Sequence, residues 1–235
     1  MVLAVLQARM SSSRLPGKVL RPILGRPMLA LQVERLRRAR GLTGLVVATS
    51  TAPDDDAIEA CCRDIGADCY RGSLDDVLGR FIGALTAAGK PQTFLRLTAD
   101  CPLADWSLVD RCIEAHRRAG AALTYTSENW TFPKGLDVEV CETAALVEAD
   151  AMTRDPYERE HVTPYIYRHP ERFTLHSITR DPPLRFRWTV DTPRDFAFVS
   201  AVYEALYPAK PDFTSEDVLA WQAEHPDQVL INEAP

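Results

Sequence analysis

With 235 residues the chain has room for one sizeable α/β core, or one core with a small appendage. Its 46% hydrophobic and 26% charged residues are ordinary for a globular protein, and no apolar run approaches the roughly 20 residues of a membrane-spanning helix. The net charge of −6 argues against nonspecific binding of nucleic acid, which needs a basic surface.

The first residues, Met1–Leu6, lack the basic start of a secretory signal, and Gln7-Ala8-Arg9 ends the apolar run early. They read as a buried strand over 2–6, in a protein expected to stay in the cytoplasm. A helix is predicted over 27–40, with Leu29, Val33 and Leu36 on one face, and a strand over 45–49. Asp54-Asp55-Asp56 opens the next helix, where the helix dipole favours acids. Cys61, Cys62, Cys69, Cys101, Cys112 and Cys141 form no C-x-x-C pair and read as buried thiols in a reducing compartment. A strand over 67–71, a helix over 75–88, a strand over 93–98, a helix over 105–120 and a strand over 122–126 follow. In the second half a strand over 138–142 leads into helices over 143–153 and 157–168. Strands over 173–179 and 185–190 are joined by a Pro-Pro turn, and helices over 194–206 and 214–224 close the chain. The alternation predicts an α/β fold, a Rossmann-like, mostly parallel sheet flanked by helices with a small antiparallel excursion. No composition break divides 1–235, which is expected to be one domain with an insertion.

Ligands of open α/β sheets bind at the carboxyl ends of strands. The first such loop here, Gln7–Lys18, holds Arg9, Arg14, Lys18 and three serines, in a first stretch of forty residues whose one acid is Glu34. Arg and Lys suit a triphosphate, and backbone amides near Gly17 suit an anion. The loop is neither G-x-x-x-x-G-K-[ST] nor G-x-G-x-x-G, so ATPase and dinucleotide readings lose support. Taken alone it also fits a solvated polar loop. Two aspartates, Asp100 and Asp191, each follow an apolar strand. Singly each fits a helix cap or a turn; together with the loop they fit Mg²⁺, which takes one or two protein carboxylates plus phosphate oxygens. Asp195 reads as the start of the closing helix. Asp137 and Glu139 share one face of a strand, either a wet edge or a grip on sugar hydroxyls. Arg159 and His161 suit an acceptor carboxylate or phosphate, or else the salt bridges of a surface helix. Ser73 lies near a ribose or, like Asp75, caps a helix; Arg80 reaches the nucleotide or a neighbouring helix.

The run Q-A-R-M-S-S-S-R-L-P-G-K resembles the signature loop of the cytidylyltransferases that make CMP-activated acidic sugars, including the synthetases for CMP-ketodeoxyoctonate and CMP-sialic acid, and above all their spore-coat polysaccharide branch. Residues 96–103 and 189–196 resemble the family's metal motifs, Pro133 with Gly135–Glu139 its acceptor-pocket pattern, and Arg159–Tyr165 a stretch of the spore-coat branch. The resemblance implies a nucleotidyltransferase fold of the GT-A-like type, CTP and an anionic sugar-like acceptor as substrates, and Mg²⁺ as cofactor. It assigns Gln7, Ala8, Arg9, Ser12, Arg14, Lys18, Ser73 and Thr98 to the nucleotide, Asp100 and Asp191 to the metal, and Gly135, Asp137, Glu139, Arg159 and His161 to the acceptor. Lys18, Arg9, Arg14 and Asp100 would carry catalysis, an in-line attack on the α-phosphorus that releases pyrophosphate. The resemblance also implies a homodimer, with 125–185 as the acceptor-binding or dimerisation insertion, and no nucleic-acid or membrane partner. The alternatives are a nucleotide-sugar-dependent glycosyltransferase, a phosphonate or sugar-phosphate nucleotidyltransferase, and a non-catalytic nucleotide-binding domain. Asp54-Asp55-Asp56 formally holds the D-x-D of a glycosyltransferase but reads as capping charge.

Overall fold

The structure is a computed structural model that describes residues 1–127 and 131–228; three residues of the predicted 125–185 insertion lie outside them. The strands β1 (Val2–Gln7), β4 (Gly44–Ser50) and β6 (Thr93–Thr98) are apolar on both faces, as strands covered on both sides must be. They form the centre of a seven-stranded sheet with β5 (Asp68–Gly72), β7 (Leu123–Tyr125), β8 (Glu139–Glu142) and β9 (Leu175–Ser177), in the order β5-β4-β1-β6-β8-β7-β9. Successive side chains of β1 alternate between two cores. Val2, Ala4 and Leu6 pack with α1 (Met28–Leu36), α2 (Asp56–Asp64), α4 (Trp106–Ala119), α8 (Pro193–Leu206) and α9 (Ser215–Glu224). Val5 packs on the other face with α3 (Val77–Ala87), α5 (Thr143–Met152) and α7 (Pro164–Arg168). Among the described residues no helix is long and apolar enough to cross a membrane.

The mostly parallel sheet expected from the sequence is present, but its antiparallel parts fall elsewhere. β8 runs antiparallel to both β6 and β7, while β9 is parallel to β7. A short antiparallel ribbon, β2 (Pro22–Ile23) with β3 (Arg26–Pro27), had no sequence signal. The expected strand over 185–190 does not pair into the sheet. Its backbone bonds to two loops instead: Trp188 N donates to Lys134 O at 2.7 Å, Lys134 N to Phe186 O at 2.9 Å, and Val190 N to Asp100 O at 2.8 Å. The apolar alternation reflects burial of Trp188 and Val190, both 0% exposed, not a ladder. The helix expected over 157–168 is two, α6 (Pro156–His161) and α7. Val162 between the two helices has φ 75°, which ends α6, and Pro164, with no N–H to donate, opens α7 at its first position. The helix predicted over 27–40 stops at Leu36.

Candidate active site

The loop after β1 is folded before any ligand shapes it. Met10 O accepts from Ser12 N and Gly17 N, and Gly17 sits at φ 68°, a left-handed value that glycine adopts without a Cβ penalty. Met10 N donates to Asp55 Oδ1 at 2.7 Å, and Asp55 Oδ2 accepts from Ser50 N at 3.1 Å and from Ser50 Oγ. The acidic run opens α2 as expected, with Asp55 at the N-cap, but the Asp55 side chain makes no capping bond. It is 2% exposed and ties the loop to the end of β4. Leu15 and Val19 are buried at 2% each and draw Lys18 inward between them.

Lys18 is the centre of the site. Its Nζ donates to Asp100 Oδ2 at 3.1 Å, to Asp191 Oδ1 at 3.0 Å and to Val190 O at 2.7 Å, which uses all three of its protons. Asp191 also receives Arg14 Nη2 at 3.0 Å and Arg187 Nη2 at 2.8 Å. Arg187 binds Asp195 through Nε at 3.0 Å, and Asp195 completes a capping box with Thr192 at the start of α8, as expected for the closing helix. Neither Asp100 nor Asp191 caps a helix; Asp105 and Thr192 do. Burial would raise the Asp100 carboxyl. The charge of Lys18 and hydrogen bonds from Thr98, Lys18 and Cys101 outweigh it and hold the group below its usual value.

A cavity of about 410 Å³ opens above this cluster. Of the candidate site residues named from the sequence, Gln7, Ala8, Arg9, Ser12, Arg14, Lys18, Arg80, Thr98, Asp100, Asp137, His161 and Asp191 line it. Ser73, Gly135, Glu139 and Arg159 do not. Ser73 Oγ accepts from Asp76 N at 3.0 Å, and Asp76, rather than Ser73 or Asp75, caps α3. Arg159 is held by Asp76 at 2.7 Å and Asp150 at 2.9 Å, which pins α6 to α3. β8 is not an edge strand, and Glu139 is 8% exposed rather than on a wet face, because Arg96 and Thr163 at the start of α7 cover it. It pairs with Arg96 at 2.7 Å and accepts from Thr163 Oγ1 at 3.0 Å. Arg9 meets Glu160 at 3.8 Å with both side chains about half exposed, a contact of little energy. Asp137 Oδ2 accepts from Gly135 N at 3.0 Å. Burial first, then the neighbouring Glu139 and Asp100, push its carboxyl up, partly offset by the Gly135 N–H and Lys134.

Sequence reasoning passed over Arg96, Lys134 and Thr189, which line the cavity, and Arg187, which orients Asp191. Arg96 had one signal, a charge in the otherwise apolar run of β6. Lys134 stands in a turn, and Arg187 and Thr189 are the polar positions of the alternation over 185–190, which read as one face of a strand.

Gly135 has a different task from holding an acceptor. At φ 110°, a Cβ there would stand 2.8 Å from Trp188 C and 2.9 Å from Thr189 N, both backbone atoms. The turn at 133–136 therefore touches the segment that presents Asp191. Gly135→Ala is expected to cost about 2 kcal/mol of stability. It should also lower turnover about a hundredfold, since misplacing a reacting group by about 1 Å costs that much. Urea unfolding and steady-state rates check both. A variant with unchanged turnover would show that this contact does not position Asp191.

The family model for cytidylyltransferases matches residues 3–216. The chain is 34% identical to the spore coat polysaccharide biosynthesis protein SpsF of Bacillus subtilis (strain 168), over 99% of this chain and 98% of that protein. It is 35% identical to a 3-deoxy-manno-octulosonate cytidylyltransferase of Zea mays, over 52% of this chain and 41% of that one. The structure of a cytidylyltransferase from Leptospira borgpetersenii serovar Hardjo-bovis (strain JB197) superimposes with a TM-score of 0.91 at 27% identity, covering 100% of this chain and 98% of the other. The chain belongs to the cytidylyltransferase family, as its first loop led us to expect, and is a CTP-dependent nucleotidyltransferase.

Proposed function

From that membership we propose that the protein transfers the CMP unit of CTP to a hydroxyl of an anionic sugar, a 2-keto-3-deoxy sugar acid in the first instance, and releases pyrophosphate. The observation that carries this reading is Lys18 Nζ bridging Asp100 at 3.1 Å and Asp191 at 3.0 Å, beside a loop bearing Arg9 and Arg14. A generic nucleotide-binding fold has no need to gather two carboxylates and three cations at one point. The relatives named for a spore-coat polysaccharide and for 3-deoxy-manno-octulosonate support a sugar acid as acceptor.

In this reading Arg9, Arg14 and Lys18 offset the charge of the triphosphate, and Ser12 and the backbone near Gly17 add donors. The residues fit a divalent cation: Asp100 and Asp191 offer two oxygen ligands, and among the described residues no larger cluster of His, Cys, Asp or Glu competes for it. Such a cation, Mg²⁺ in our proposal, would draw charge from the α-phosphate and acidify the acceptor hydroxyl. Gln7, Ala8 and Thr98 would meet the nucleoside. Asp137 and His161 would meet the acceptor, with Asp137 held in place by the Gly135 N–H. Ser73, Glu139 and Arg159 would act only through the residues they brace. Catalysis is then positioning and charge neutralisation, not covalent chemistry by the protein.

Pyrophosphate release, assayed with the four nucleoside triphosphates against sugar acids, sugar phosphates and phosphonates, is expected to require CTP and a sugar acid. Turnover with no acid in that panel, or release independent of CTP, would end the proposal. A glycosyltransferase would instead consume a finished nucleotide-sugar without releasing pyrophosphate. The reading also places the enzyme in the cytoplasm as a homodimer. Exposed Val147, Met152, Tyr157 and Tyr167 all fall within 125–185 and support that stretch as the contact, which light scattering would test.

A further inference from the structure

The two carboxylates read above as cation ligands are both already held. Asp100 Oδ2 accepts from Lys18 Nζ at 3.1 Å, and Asp100 Oδ1 from Cys101 Sγ at 3.5 Å. Asp191 Oδ1 takes Lys18 Nζ at 3.0 Å and Arg14 Nη2 at 3.0 Å, and Asp191 Oδ2 takes Arg187 Nη2 at 2.8 Å. All four oxygens thus have a donor. Among the described residues, Lys18 is the one cation that the two aspartates share. The charges also balance, since Asp100, Asp191 and Asp195 meet Lys18, Arg14 and Arg187.

Mg²⁺ takes its oxygen ligands at about 2.1 Å. An ammonium 3.0–3.1 Å from the same oxygens would then stand no more than about 5 Å from it, and the two would repel strongly in a site partly closed to water. Lys18 must therefore leave at least one carboxylate before the pair can take a dication. A bare dication offers the ammonium nothing in exchange. A triphosphate does, because its oxygens accept from an ammonium as a carboxylate does. Lys18 and Arg14 both line the cavity, where such oxygens come within reach.

The three cations differ in how freely they can move. The Arg14 side chain is 61% exposed and can follow the phosphates. Lys18 is buried, and its third proton rests on Val190 O at 2.7 Å, so a turn of its tip suffices. Arg187 is fixed by Asp195 as well as Asp191 and stays to aim the Asp191 carboxylate. With Lys18 and Arg14 drawn to the phosphates, the cluster passes from neutral to negative, which favours a dication.

We propose that Lys18 is a latch, closed on Asp100 and Asp191 until nucleotide phosphates draw it off, so that the enzyme admits its divalent cation with or after the nucleotide and not before it. The inference rests on the cytidylyl-transfer reading above and adds the order in which that site fills.

Mn²⁺ binding with no nucleotide present, followed by electron resonance, tests it in the wild type and in Lys18→Met, Lys18→Gln and Arg14→Met. Opening the latch should tighten Mn²⁺ at least roughly tenfold in either Lys18 variant. Arg14→Met deletes the same charge but leaves Lys18 on both carboxylates, and should tighten it less than about threefold. A lysine that only braced the site would give the opposite sign, since its loss would loosen the carboxylates and weaken Mn²⁺. In calorimetry with a chelator present, the wild type should bind CTP more tightly than it binds Mn²⁺ alone, and this comparison decides the question if neither Lys18 variant folds. The proposal is overturned if the Lys18 variants gain no more Mn²⁺ affinity than Arg14→Met does, or if the wild type binds Mn²⁺ alone more tightly than CTP alone. A wild type that binds neither CTP nor Mn²⁺, together or apart, would instead sink the cytidylyl-transfer reading, and this inference with it.

Discussion

Replacing Asp100 by alanine is expected to cut pyrophosphate release by about two to four orders of magnitude while the fold survives. The fold should survive because the contact that seats the Asp191 segment uses the backbone of Asp100, whose carbonyl accepts from Val190 N at 2.8 Å. Lys18 also keeps Asp191 and the Val190 carbonyl as partners when the Asp100 carboxylate is gone. Thermal unfolding should therefore move by only a few degrees. Divalent-cation binding, followed through Mn²⁺ resonance, should weaken together with the rate, because one of two carboxylates has been removed. In the wild type, the neighbours that hold the Asp100 carboxyl below its usual value keep it ionised through the neutral and mildly acid range. Its protonation should limit the rate only below the ordinary carboxylate range. An Asp100→Ala enzyme with near wild-type turnover would remove the residue from the mechanism.

Lys18→Met keeps the length and the apolar stem of the side chain and deletes its charge. Turnover should again fall about a hundredfold or more, since the triphosphate loses a positioned cation. Unlike the alanine at 100, this change should also destabilise the protein, by roughly 2 kcal/mol at neutral pH. It leaves Asp100 and Asp191 together without the ammonium between them, although Arg14 and Arg187 still hold Asp191. The pH dependence distinguishes the cause. In the wild type the Asp100 pKa is lowered on folding, so its ionisation adds stability that is present above the unfolded value and fades as pH falls through the folded one. Without Lys18, burial dominates and the folded pKa rises, so ionisation of Asp100 opposes folding as pH increases. The stability gap between variant and wild type should therefore widen as pH rises through the carboxylate range towards neutrality. A gap that is flat with pH would mean that Lys18 does not balance these carboxylates.

Much of the helical and parallel-strand order was readable from local pattern. The period-two and helical runs placed β1, β4, β6, α3, α4 and α8 within a few residues of their observed limits. The cationic loop after β1 stood out because its residue types suit one chemistry, and its likeness to the cytidylyltransferase signature gave the family. The failures share one cause. The alternation over 185–190 came from Trp188, seated in the core with its Nε1 on Gln222 Oε1 at 2.9 Å, and not from strand pairing. Glu139 looked wet because nothing local says that Arg96 and Thr163 cover it. Arg159 looked like a ligand for an anion because nothing local says that Asp76 and Asp150 surround it.

By itself, then, the sequence determined which backbone segments are helix or strand, which loop carries cations, and which aspartates follow apolar runs. Those properties depend on neighbours a few positions away. Only the tertiary structure decided which charges meet. Lys18 reaches Asp100 across 82 positions and Asp191 across 173. Among the described residues it set Arg80 on the Ser73 carbonyl and Arg96 on the Glu139 carboxylate. A charge-charge contact depends on distance in space and on exclusion of water, and both are set by how the sheet is ordered and which loops close over it.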